Sequence, residues 1–350
     1  MLVGVVGGLS MRWPAACHLP VTQRPRTTVP QSTGSEWDVG GVDVETFLQS
    51  EAWLNGALAL DDDLIVSAAG EDDELASELA QASQQYDRLL LRSPTGTPTL
   101  ARSISLEAAV LSDGVGRTDR SLSAHTAAAL RAYALGLIEE DAATPCSDGF
   151  STVLSERAAP GAVQTRWDIR LPLVPLVEAA LAELLKPGTP LTVALERVAG
   201  GLEAELYELG TFVSQPGAAA QLIHADTLFS DEPCLFTATV ALQDVREESG
   251  PTLFLPGTHT AEAHAAFDDD VDSFFDSQSP VLACAPTGGV VLYDSRCFHC
   301  GGPNRSEEPR ALFYFTFRHP DARADMLGNP AARTMRAELH GRFCLGDLLG

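Results

Sequence analysis

Two periods divide the hydrophobic positions of this chain. Leu75, Leu79, Ala82, Tyr86 and Leu89 recur every three or four residues, the spacing of one helix face. Glu71, Asp72, Asp73 and Glu74 precede them, where a helix dipole favours negative charge. A second helix is expected over Ser123–Glu140, with Ala127, Leu130, Ala134, Leu137 and Ile138 on one side. A third is expected over Leu176–Lys186, stopped by Pro187 and Gly188. Beyond Pro190 the apolar positions alternate. Leu191–Val198, Ala204–Val213, Leu235–Leu242, Thr252–Leu255, Val281–Cys284, Gly289–Asp294 and Ala311–Arg318 all read as strands, separated by Gly, Pro, Asn and Asp. Many short strands with little helix between them predict an antiparallel sandwich or barrel.

Composition narrows the class. The chain has 350 residues, 45% of them hydrophobic, which is ample for a core, and a formal net charge of −25. Such an acidic surface repels nucleic acid and anionic membranes. No apolar run approaches the length of a membrane span. The seven cysteines are odd in number and form no regular framework, which in a chain of this size predicts free thiols in a reducing compartment. Cys297 and Cys300 have C-x-x-C spacing but are expected to be ordinary buried residues. Residues 1–35 carry Arg12, Arg24 and Arg26 and no acid; they are expected to be a disordered leader or an organellar targeting segment. The expected location is accordingly cytoplasmic, or organellar if the leader is a transit segment. Residues 36–350 are expected to form a single domain. The aspartate runs Asp61–Asp63 and Asp268–Asp272 lack the spacing of a calcium loop and read as solvated loops. His125 is expected at a surface or in the core, and His259 in a structural turn.

The chemistry concentrates between Gln221 and Arg310. His224 and Asp226 stand two apart, so on an extended strand they share a face and can hold one cation together. A second histidine from far along the chain would complete a two-histidine, one-carboxylate set with open coordination positions, diagnostic of non-haem Fe(II) oxygenases. Arg310 offers a planar fork for a carboxylate. In the strand that begins there, Arg310, Leu312, Tyr314, Thr316 and Arg318 share one face, and Phe313, Phe315 and Phe317 the other. The Phe face is expected to press on helices. Arg318 lies about 26 Å further on at ~3.3 Å per residue, too far to grip the same small molecule, and is expected in an ion pair at the sheet rim.

Between these residues lie Val240–Val245, Glu248-Ser249-Gly250-Pro251, Leu255-Pro256-Gly257-Thr258-His259 and Gly288–Ser295, followed by His299-Cys300-Gly301-Gly302-Pro303-Asn304-Arg305-Ser306. In this order the motifs resemble the phytanoyl-CoA dioxygenase family, most clearly over 202–318. The resemblance implies an α+β fold with a double-stranded β-helix (a cupin-like jelly roll) at about 190–320, flanked by helices from the N-terminal half. It implies Fe(II) on His224, Asp226 and His299, and 2-oxoglutarate with its distal carboxylate on Arg310. Gln221, Thr239, Asn304 and Ser306 would stand beside the co-substrate, and O2 would take the remaining position on the iron. The implied reaction is hydroxylation of an aliphatic C–H bond in a small organic or acyl substrate, with release of succinate and CO2. Halogenating members of the superfamily replace the carboxylate ligand by a small residue, whereas Asp226 is intact. Thr239 stands where these proteins often carry Trp, so the pocket wall differs. Two other readings are a metal-dependent cupin that needs no 2-oxoglutarate and a non-catalytic jelly-roll binding protein. Neither the substrate nor the oligomeric state is written in these motifs.

Overall fold

The computed structural model describes residues 3–6, 9–12, 80–90, 96–143, 165–327 and 333–349. All of them belong to one compact unit. The expectations for most of residues 1–35, for 71–79 and for Asp61–Asp63 lie outside them. Within the leader, Val3–Val6 (β1) and Leu9–Arg12 (β2) pair as an antiparallel hairpin.

The architecture is mixed α and β, with antiparallel sheets. Six strands form the larger sheet: Val115–Thr118 (β3), Arg166–Arg170 (β4), Glu205–Ser214 (β5), Leu235–Ala241 (β6), Val290–Asp294 (β9) and Arg310–Arg318 (β11). Their order is β3-β9-β6-β11-β5-β4. The smaller sheet orders His299–Gly301 (β10), Thr252–Phe254 (β7) and Val281–Leu282 (β8) as β10-β7-β8. Strands β3, β4 and β10 answer to no segment expected to be a strand. Each is short, and β4 (Arg-Trp-Asp-Ile-Arg) hides its alternation behind three charged side chains.

Helices cover one face of the larger sheet. Leu106–Asp113 form α2, Ala124–Ala143 α3 and Pro175–Leu184 α4, whereas residues 80–90 form α1, whose Tyr86 and Leu89 pack instead with Leu253, Leu255 and Phe298 beside the smaller sheet. Leu130 and Ala134 of α3 and Val177, Leu181 and Leu184 of α4 pack in one core with Phe313, Phe315 and Phe317. The all-Phe face of β11 therefore lies against helices, as its alternation predicts. Each of the three rings is fully buried, contributing on the order of 1.5–3 kcal/mol.

One expected strand is a helix. Pro190–Val198 forms α5, started by Thr189, whose side chain accepts from the Thr192 N–H, and by Pro190 in the first turn. Leu191, Val193 and Leu195 alternate and imitate a strand, but Val193 is exposed while Leu191, Thr192, Ala194, Leu195 and Val198 are buried. That set follows the helical period. The run Asp268–Asp272 is likewise not a loop. It joins Ala261–Asp269 (α6) to Val271–Ser277 (α7), and Asp270 caps α7 by accepting from the N–H groups of Asp272 and Ser273. Arg88 of α1 then pairs with Asp272 and Asp276 of α7.

The tail 333–349 packs along β5, where β4 no longer pairs with it. Leu209 N–H donates to Thr334 O and Leu206 N–H to Phe343 O. Leu345–Leu348 (α8) follows. Arg318 pairs with Glu205 at 3.3 Å at this end of the sheet. Cys297 and Cys300 are buried free thiols, and His125 is exposed. Among the described residues no helix is long and apolar enough to cross a membrane.

Candidate metal centre

His224 and His299 lie 75 positions apart but face each other across one antiparallel bridge. Each backbone N–H donates to the other's carbonyl, at 2.9 and 2.8 Å, and the imidazole centroids stand 4.6 Å apart. Asp226 is pinned by its own N–H, which donates to Ser295 O at 2.8 Å. Three backbone contacts therefore fix three side chains before any ligand binds.

The imidazole nitrogens divide the work. Nδ1 of His224 is 2.8 Å from Leu222 O, and Nδ1 of His299 is 3.0 Å from Cys297 O. A carbonyl can only accept, so both Nδ1 atoms carry the proton and each neutral ring turns an Nε2 lone pair the other way. Those lone pairs converge on Asp226: Nε2 to Oδ1 is 3.5 Å from His224 and 3.6 Å from His299. Such separations are too long for good hydrogen bonds. They are close to the ~3 Å between neighbouring ligands of an octahedral ion with bonds of about 2.1 Å. Within the described residues this is the one group whose donor atoms could hold a metal, all lying within 4.8 Å of one another. The side chains are 18%, 32% and 8% exposed for His224, Asp226 and His299, so the site opens on the Asp226 side.

Burial raises the Asp226 carboxyl, but the two histidines outweigh it and the net shift is downward. Burial dominates at His299 and lowers it; at His224 the pull of Asp226 prevails and the net shift is upward. Downward shifts at Asp226 and His299 both favour the ligating form.

Tyr293, which lies in the Gly288–Ser295 motif but is given no role by the sequence, donates its hydroxyl to Asp226 Oδ2 at 3.1 Å. That leaves Oδ1 for an ion. Tyr293→Phe is expected to lower metal affinity roughly ten-fold or more, the usual effect of losing a group that orients a ligand. The melting temperature should stay nearly unchanged. Metal titration of both proteins checks this.

The other expected site residues divide. Arg310 is buried; its guanidinium donates to Gly250 O and, at 2.9 Å, to Ser214 Oγ. Burial, reinforced by the neighbouring Arg166, pushes its pKa down to about 9, and no carboxylate among the described residues pairs with it. Thr239 lines a small interior cleft with Ala241, Val291 and Leu312. Gln221 accepts from Gly301 N–H at 3.0 Å, beside Arg166. Asn304 and Ser306 bond to each other and to the backbone around them. The Asn304 amide donates to Ser214 O and Glu308 O, and its oxygen accepts from Ser306 N–H and Oγ. These two brace the loop leading into β11.

The rest of the interior face was missed. Asp168 accepts from Tyr314 at 2.7 Å and from Thr334 at 2.6 Å; Glu208 accepts from Thr316 at 2.7 Å. The available signal was the Arg166-x-Asp168-x-Arg170 alternation, with Trp167 and Ile169 turned to the core. Burial raises the Asp168 carboxyl to about 7 against the pull of its two hydroxyl partners, and Glu208 shifts the same way. Between pH ~4 and ~7 the folded chain holds the Asp168 proton and the unfolded chain does not. Stability is therefore expected to fall as pH rises through that interval, by up to about 4 kcal/mol, and to level off above it. Denaturant unfolding at pH 5 and pH 8 should show a smaller fall for Asp168→Asn.

The sequence relatives are named as dioxygenases. A dioxygenase of Talaromyces verruculosus, cdmD, is 30% identical over 106 residues, covering 27% of this chain and 33% of its own. The dioxygenase af480 of Aspergillus fumigatus is 26% identical over 162 residues, covering 45% and 50%. The chain thus spans a third to a half of the length of these relatives. Among solved structures, AviO1 of Streptomyces viridochromogenes aligns over 65% of this chain and 99% of its own, with 22% identity and a TM-score of 0.47. EctD of S. alaskensis, solved with 2-oxoglutarate and 5-hydroxyectoine, covers 71% and 92% at 17% identity and a TM-score of 0.46. Residues 178–312 match the phytanoyl-CoA dioxygenase (PhyH) family. That stretch runs from α4 into β11 and contains the whole triad and Arg310, so the similarity to the phytanoyl-CoA dioxygenase family covers every residue of the candidate centre.

Proposed function

We propose that this chain is an Fe(II)- and 2-oxoglutarate-dependent dioxygenase that hydroxylates an aliphatic C–H bond of a small organic or acyl substrate. The observation that carries the reading is the gathering of two imidazole nitrogens and one carboxylate oxygen within 4.8 Å of one another. Enzymes of this family use Fe(II), 2-oxoglutarate and O2, and the donor set of His224, Asp226 and His299 suits Fe(II) with positions left open. Bound there with its co-substrate, the iron would supply an oxidant strong enough to break a C–H bond, with succinate and CO2 as the other products.

The chain's own contribution is positional. The Leu222 and Cys297 carbonyls hold the two imidazoles in the ligating tautomer, and Tyr293 fixes the rotation of Asp226. Arg310 waits as a buried cation for the distal carboxylate of 2-oxoglutarate. The two antiparallel sheets are read as the walls of a double-stranded β-helix, with 36–350 as its single domain. An intact Asp226 favours hydroxylation over halogenation, because no coordination position is freed for chloride. A cupin that needs no 2-oxoglutarate would have no use for a buried guanidinium that no described carboxylate pairs with.

The test is succinate release by the purified, iron-loaded chain. Release that depends on both Fe(II) and 2-oxoglutarate, with O2 consumed, is expected. Its absence across a panel of small acids, acyl thioesters and amino-acid derivatives would sink the reading.

A further inference from the structure

Ser214 sits at the end of β5 and belongs to none of the motifs around the triad. In the sheet register it stands opposite Arg166 of β4 on one side and Arg310 of β11 on the other. All three side chains are buried: Arg166 is 6% exposed, Ser214 1% and Arg310 3%. Arg166 Nη1 donates to Ser214 Oγ at 2.8 Å and Arg310 Nη2 donates to the same oxygen at 2.9 Å.

That leaves Ser214 one option. A serine oxygen has two lone pairs, and here a guanidinium N–H fills each, so its remaining O–H can only donate. No acceptor for that proton stands among the described residues. Arg310 Nε is also buried without an acceptor, and no described carboxylate is bonded to the Arg310 guanidinium. Two unspent donors and an uncompensated cation thus meet in one dry corner, and leaving them so is costly. What satisfies all three is an anion with more than one acceptor oxygen.

We infer that the Ser214 hydroxyl donates directly to the distal carboxylate of the 2-oxo acid, making Ser214 a specificity-determining residue held in its donor role by Arg166. The inference rests on the function proposed above. Arg166 acts as a positioning residue. It also donates to the carbonyls of Ala219 and Gly302, and its Nη1 occupies the lone pair through which Ser214 would otherwise accept. Room for this arrangement comes from Gly301, where a Cβ would stand 2.9 Å from Arg166 Nη1 and 2.5 Å from Gln221 Oε1.

The experiment compares two ligands that share the 2-oxo acid end and differ only in the distal carboxylate: 2-oxoglutarate and 2-oxobutyrate. Their affinities for the Fe(II)-loaded chain are measured anaerobically by calorimetry, so that turnover plays no part. Ser214→Ala is expected to weaken 2-oxoglutarate roughly ten-fold, the scale of one charge-assisted hydrogen bond, and to leave 2-oxobutyrate unchanged. Ser214→Thr, which keeps the hydroxyl, is expected to retain most of the preference. A Ser214→Ala chain that keeps the full wild-type preference, or that loses affinity for both ligands equally, overturns the inference. Arg310→Ala separates the two levels of the argument. If it abolishes the preference while Ser214→Ala does not, Ser214 alone is misassigned. If Arg310→Ala also leaves the preference intact, the co-substrate reading falls with it.

Discussion

Asp226→Ala is expected to abolish turnover and bound iron together. The carboxylate is the only anion in the proposed donor set, and two neutral imidazoles alone hold a divalent cation far less well. A loss of at least 100-fold in metal affinity follows from removing one of three ligands and its charge. The fold should survive. Asp226 is the most exposed of the three side chains, and its backbone bond to Ser295 O does not depend on the side chain. His224→Ala should behave alike, since its bridge to His299 is also made by main chain. Iron content after anaerobic loading, read beside the melting temperature, checks both variants. Wild-type iron content and activity in both would place the metal elsewhere.

Arg310→Ala is expected to raise the Michaelis constant for 2-oxoglutarate by two to three orders of magnitude. A buried ion pair stripped of one partner loses about 3–5 kcal/mol, and each ~1.4 kcal/mol is ten-fold in affinity. Arg310→Lys should recover only part of this, because an ammonium cannot present two parallel N–H groups and cannot reach Gly250 O and Ser214 Oγ at once. Arg318→Ala serves as the contrast. Its guanidinium is engaged with Glu205 and Ala322 O at the other end of β11, so the constant should not move. Kinetics with varied 2-oxoglutarate settle the matter; an unchanged constant in Arg310→Ala with a large rise in Arg318→Ala reverses the assignment.

The parts of the site legible in the sequence were those carried by rigid local rules. Alternation along β11 separated the Phe face from the arginine face, and the two-residue step from His224 to Asp226 put both on one side. Legibility failed where a local pattern had two solutions. Leu191, Val193 and Leu195 satisfy a strand as well as a helix turn, and only the Thr189 cap and the burial of Ala194 and Val198 decide between them. It failed again for Ser214 and Tyr293, whose hydrogen-bond partners lie far away in the chain. A serine between two arginines is visible only once β4, β5 and β11 lie side by side. Asn304 and Ser306 show the converse: polar residues near a motif whose hydrogen bonds in the structure brace a turn.

The tail beside β5 has a consequence for how the protein behaves in solution. Where β4 stops pairing, β5 would present open N–H groups at Leu206 and Leu209, and the carbonyls of Phe343 and Thr334 take them. A bare strand edge invites pairing with a second chain. Residues 333–349 therefore work as a selvedge, the finished border that keeps a woven sheet from being stitched to its neighbour.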